Sequence, residues 1–163
     1  MLKRIIKNER GLTLIELLAV IVILGIIAAI AIPAIGAIMD NSKKDAHIAN
    51  AKQMVSAVRL AIANDQNTKT SYTMQELFDG GYLENIPKSP GKKDEYDPKQ
   101  SKVTVEKEMV KDNTGNNTGN NTGNNTDKVK AIHYKVSLID TKGFKYIDNV
   151  DVEQLTRDKV NLE

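Results

Sequence analysis

The sequence predicts an α+β protein, a long N-terminal helix packed on a small antiparallel sheet. Three observations carry this. Leu17–Met39 is an apolar run without a charged side chain. Beyond it Ile48, Ala51, Val55, Val58 and Ile62, with Met54 beside them, recur every three or four residues, the spacing of one helical face. Near the other end Lys130–Ile139 alternates apolar and polar residues, a turn follows, and Phe144–Val150 alternates again, which predicts a hairpin. A helix and a hairpin with no repeated strand–helix alternation make an α+β layout.

The apolar run comes first. At about 1.5 Å per residue it reaches roughly 34 Å, enough for a bilayer core of about 30 Å. Lipid offers the backbone no hydrogen bonds, so a single span must be helical. Ahead of it Lys3, Arg4, Lys7 and Arg10 outnumber Glu9, so this end stays cytoplasmic. Glu16 is the odd residue: a carboxylate costs about 3 kcal/mol at mid-membrane and needs a cationic partner or a place at the interface. An ordinary signal peptide would be cut after a small-x-small triplet. Ala29-Ile30-Ala31 has that form but lies inside the run, with Pro33 two residues past the bond. A plain uncleaved anchor leaves Glu16 unexplained.

Gly11-Leu12-Thr13-Leu14-Ile15-Glu16 resembles the class III signal of type IV pilins and pseudopilins. The resemblance covers about Lys7–Asp40. It implies that a dedicated peptidase cuts Gly11–Leu12 on the cytoplasmic side, leaves the helix in place and methylates the new N-terminus at Leu12. Leu12 stands where the family usually has Phe. Glu16 becomes mature residue five, and Pro33 stands where the family commonly has proline. The partners implied are further copies of the chain in a helical filament, the prepilin peptidase, an assembly ATPase and a polytopic platform protein, with the membrane as host before assembly.

The chemistry of that arrangement follows from the charges. Cleavage would give Leu12 an α-amino group with an ordinary pKa near 8, mostly cationic at neutral pH. The Glu16 carboxylate of a neighbouring subunit, displaced along a helical stack, would meet it, and two charges costly in lipid would satisfy each other. The resemblance implies this salt bridge for assembly. Glu16 also suits the N-terminus of its own helix, and the two roles are compatible.

Composition bounds the remainder. The chain has 163 residues, 124 of them after Met39, one small domain. A net charge of +2 does not indicate nucleic acid. Cysteine is absent, which rules out disulfides and thiolate metal sites. His47 and His133 are far apart in sequence, and there is no nucleophile motif, phosphate loop or His-Glu-x-x-His. No enzyme activity, cofactor or metal is expected.

In chain order, Pro33 removes a helical hydrogen bond and clashes one turn back, and Gly36 weakens the next turn. A kink or local melting is expected over Ala29–Ala37. Residues 40–65 form the amphipathic half of the same helix, with His47 expected on its exposed side. Asn64–Ser71 is polar and predicted to be loop. Thr73-Met74-Gln75-Glu76 fits a capping box and Gly80-Gly81 a stop, which predicts a helix over Met74–Asp79. Gly81–Pro90 resembles the segment of major pseudopilins and Gram-positive pilins that leads into the sheet. Pseudopilins often follow it with a calcium loop. Asp94, Glu95 and Asp97 supply oxygens, but their order matches no dependable pattern, so a solvated charged loop is expected.

Val103-Thr104-Val105 suggests a strand, although Lys102–Lys111 also suits a helix. Residues 113–126 repeat Asn, Thr and Gly without an apolar residue and cannot build core. Asn116, Asn120 and Asn124 each open an Asn-x-Thr sequon. Val152–Leu162 is compatible with strand or helix. The expected organisation is a leader over 1–11, an apolar membrane and assembly helix over 12–39, its amphipathic half over 40–65 and a head over 66–163. The function expected is a pilus subunit, first in the membrane and then on the cell surface. Alternatives are a pseudopilin of a secretion or DNA-uptake machine, and a monomeric membrane-anchored binding protein.

Overall fold

The structure, a computed structural model, describes residues 13–64, 69–91, 94–110 and 128–162. The chain divides into two units, Met1–Asp40 and Asn41–Glu163. The expected α+β layout is present: one long helix and one four-stranded antiparallel sheet.

Helix α1 spans Leu14–Asn64, 51 residues, with Pro33 inside it. In the first unit its backbone is helical through Ala29–Ala37. In the second unit one face of α1 is buried, and Ala51, Met54, Val55, Ala57, Val58 and Ala61 join a single core with residues of the sheet. Ile48 and Ile62 pack at the margin of that core, so the predicted stripe is the packed stripe. His47 is a correction. It lies on that face and is fully buried, because it falls one turn before Ala51.

The head continues with β1 (Ser71–Thr73), α2 (Met74–Asp79), β2 (Lys102–Val110), β3 (Lys128–Ile139) and β4 (Lys145–Asp151). The strands pair in chain order. Strand β1 is a further correction, since its first residue was expected in a loop. Its three residues pair with Thr104, Val103 and Lys102 and place Tyr72 in the core. Lys102–Val110 proves to be strand throughout, with Val103 and Val105 facing the core. Strand β3 buries Val136 and Leu138. The register with β4 shifts on either side of Leu138, and there Asn149 takes φ 51° and its N–H donates to the Ser137 hydroxyl. Asparagine tolerates that left-handed backbone better than most residues. Val152–Leu162 becomes two short 3₁₀ turns, Val152–Gln154 and Arg157–Lys159, with Leu155 and Val160 buried.

Helix α2 begins and ends as its residues dictate. The Thr73 hydroxyl accepts from Glu76 N–H, and Thr73 N–H donates to the Glu76 carboxylate at 2.8 Å. At the far end a side chain on Gly80 would meet the Tyr82 ring at 2.8 Å. Gly81 has φ 73°, a conformation that glycine adopts without strain.

Candidate assembly helix and processing signal

The first turn of α1 is closed by its own residues. Thr13 N–H donates to Glu16 Oε2 at 2.8 Å, and the Thr13 hydroxyl donates to the same oxygen at 2.7 Å. Glu16 N–H is 3.4 Å from the Thr13 hydroxyl, a longer return bond. This is the same reciprocal device as at α2, and it sets a carboxylate against the positive end of the helix. The self-capping role expected for Glu16 is therefore seen in the isolated chain. Gly11 and Leu12, the expected cleavage and methylation positions, lie outside the described residues, as does the repeat over 113–126 with its sequons.

From Leu14 to Met39 every large apolar side chain is exposed, from 47% at Val20 to 86% at Leu14. Soluble monomers do not leave apolar patches of this extent open, so the surface belongs against lipid or protein. The helix is long and apolar enough to cross a membrane. It has no polar face here: leucine, isoleucine and valine surround it, as a span in lipid requires.

The decisive observation is the agreement between this helix and a family model. Residues 6–32 carry the prokaryotic N-terminal methylation motif. This prepilin signal covers Gly11, Leu12 and Glu16 and ends one residue before Pro33. It supports a prepilin of the type IV pilin and pseudopilin kind, held in the membrane before assembly and processed by a prepilin peptidase. It is a structural pilin motif and not an enzyme family. No curated protein and no solved structure matches the chain.

The remaining sequence candidates lie in the head and do not converge. Asp94 pairs with Lys142 at 2.7 Å. Glu95 accepts Ser89 N–H at 3.1 Å, and Asp97 accepts from Lys99 N–H at 2.8 Å and from the Gln100 amide at 2.7 Å. Those hydrogen bonds hold the Asp97 carboxyl below its ordinary range. The three acids serve as loop staples, and among the described residues no group of acids and histidines is arranged to hold a metal. His133 bonds Asp151 at 2.8 Å on the sheet surface, away from the buried His47.

Proposed function

We propose that the chain is the structural subunit of a type IV pilus, cut after Gly11, methylated at Leu12 and polymerised through residues 12–39 of its N-terminal helix. The observation that carries this is the coincidence of the methylation motif with an exposed apolar segment of α1, up to Met39, whose only carboxylate, Glu16, stands five residues past Gly11. In the filament the Glu16 carboxylate exchanges part of its cap for the Leu12 amine of an adjacent subunit. Pro33 supplies a weak point at which α1 bends or unwinds on packing. The head over 66–163 faces outward on the cell surface, with residues 40–65 as the stem that carries it.

A pseudopilin of a secretion or DNA-uptake machine uses the same helix and is the second reading, and the likeness of Gly81–Pro90 to major pseudopilins and Gram-positive pilins alike is compatible with both. Mass analysis of the mature N-terminus tests the processing step. The expected result is a chain beginning at Leu12 with one added methyl group, and a chain beginning at Met1 or Ile32 refutes it. Gly11→Ala slows cleavage, and a larger residue blocks it. Filaments sheared from the cell surface favour the pilus. Processed protein that stays in the membrane with no sheared filament favours the pseudopilin.

A further inference from the structure

The head contains a buried polar cluster outside residues 12–39, the proposed assembly segment. The His47 ring stacks on Tyr146 of β4, with centroids 4.3 Å apart, and meets Tyr96 edge-on at 5.6 Å. Tyr96 belongs to the loop before β2, and its backbone bridges to Asp140. Three segments distant in sequence therefore meet at one imidazole.

The hydrogen bonds run in one direction. Asn50 Nδ2 donates to the Lys88 carbonyl at 3.1 Å and to the Tyr96 hydroxyl at 3.3 Å. A carbonyl only accepts, so the Asn50 amide nitrogen is fixed on this side. The Tyr96 hydroxyl accepts from Asn50 and, among the described residues, its proton has no acceptor in reach but His47 Nδ1, 2.5 Å away, so the hydroxyl donates there. Nδ1 must be the bare acceptor, which puts the single ring proton on Nε2. Nε2 is buried and has no hydrogen-bond partner among the described residues. A second proton would go to Nδ1 and turn the Tyr96 hydroxyl into an acceptor of two bonds, leaving its own proton without an acceptor among the described residues and a charged ring buried.

The acids around the cluster are committed elsewhere. Asp94 pairs with Lys142, Glu95 holds Ser89 N–H, and Asp140 accepts from the N–H groups of Lys142 and Phe144. On α1 itself Asp45 is held by both nitrogens of an Arg157 fork at 2.6 Å, with Lys43 and Lys44 beside it in sequence. Burial raises both tyrosine phenols, so they stay neutral. Burial also lowers the His47 pKa from 6.5 to about 4.

We propose that His47 is an acid-released latch: the neutral ring, with Asn50, holds Tyr96 and the Lys88 carbonyl against α1, and a proton on Nδ1 lets them go. Opening exposes the ring, which takes a proton at its ordinary value and cannot close while charged. The folded pKa lies below the unfolded one, so the closed state is fully favoured above about pH 6.5. It weakens as pH falls toward about 4. Within that window each pH unit raises the open population up to about tenfold. Carboxylates depressed by partners, such as Asp45 and Asp97, begin to lose their contribution only near their ordinary value of 3.8, a lower window.

Amide hydrogen exchange on the full chain in detergent micelles, at pH 6.5 and 5.0 and corrected for intrinsic rates, tests the latch. The expected result is opening at residues 88–91 and 94–96 about tenfold more often at pH 5.0, with residues 135–139 of β3 unchanged. His47→Gln keeps an acceptor for the Tyr96 hydroxyl but cannot titrate, and it abolishes the acceleration. A flat profile in the native chain, or equal acceleration in His47→Gln, overturns the proposal. Should His47→Gln fail to fold, Tyr96→Phe serves. It removes the donor that occupies Nδ1, and the His47 imidazole resonance then titrates at higher pH than in the native chain. An unchanged titration overturns the latch.

Discussion

Thr13 and Thr73 perform one task at two helix starts, and removing each has a different consequence. Thr73 caps α2 inside the head, where Met74 and Leu77 are buried just beyond it. Thr73→Ala costs about 1 kcal/mol of head stability, seen as a lower denaturation midpoint. Leu77→Ala, at a side chain 1% exposed, costs about 2–5 kcal/mol by the same measurement. Thr13→Ala leaves that midpoint unchanged, because the first turn of α1 contributes nothing to the head core. The Thr73 box was legible in the sequence because a cap is a local contact with fixed spacing. His47 was not. Its position one turn before Ala51 marked the buried stripe, but its polarity pointed outward, and only Tyr96 and Tyr146, distant in sequence, explain why a ring can be buried there.

At the scale of elements, α1 changes its apolar pattern along its length. Apolar residues surround it up to Met39, and one stripe faces the core after Ile48. Both patterns are visible in the sequence, since period and length set them. The sheet was legible in β3 and β4, where the turn at Asp140–Gly143 joins neighbours. Strand β1 was hidden because three residues carry little periodicity and its pairing with β2 is non-local. The 3₁₀ turns after β4 were hidden because Leu155 and Val160 are buried by the surrounding fold and follow neither regular spacing. A prediction follows from the hairpin. Val110 pairs with Lys128, so deleting 113–125 leaves Lys111, Asp112, Thr126 and Asp127 as a four-residue loop, a common hairpin length. The shortened chain should be expressed and melt as the native one does. Failure to fold would show that the repeat is packed.

For the whole molecule, the role proposed for Glu16 separates insertion from assembly. Glu16→Val removes a carboxylate from a lipid-facing helix, so the protein should remain in the membrane fraction at native levels or above. On the proposed pairing sheared filaments should be lost, because the Leu12 amine would then lack its partner in the adjacent subunit. Normal filaments from a strain carrying only the variant would defeat the pairing. Acid adds a second axis: the head should loosen between about pH 6.5 and 5, before its paired carboxylates protonate. The Val110–Lys128 pair has an evolutionary consequence as well. The chain leaves the sheet and rejoins it at adjacent residues. Whole Asn-Thr-Gly-Asn units can then be gained or lost by copying errors that keep the reading frame, and the strands beneath keep their register. The lineage can vary this segment rapidly while the helix and sheet stay under ordinary selection.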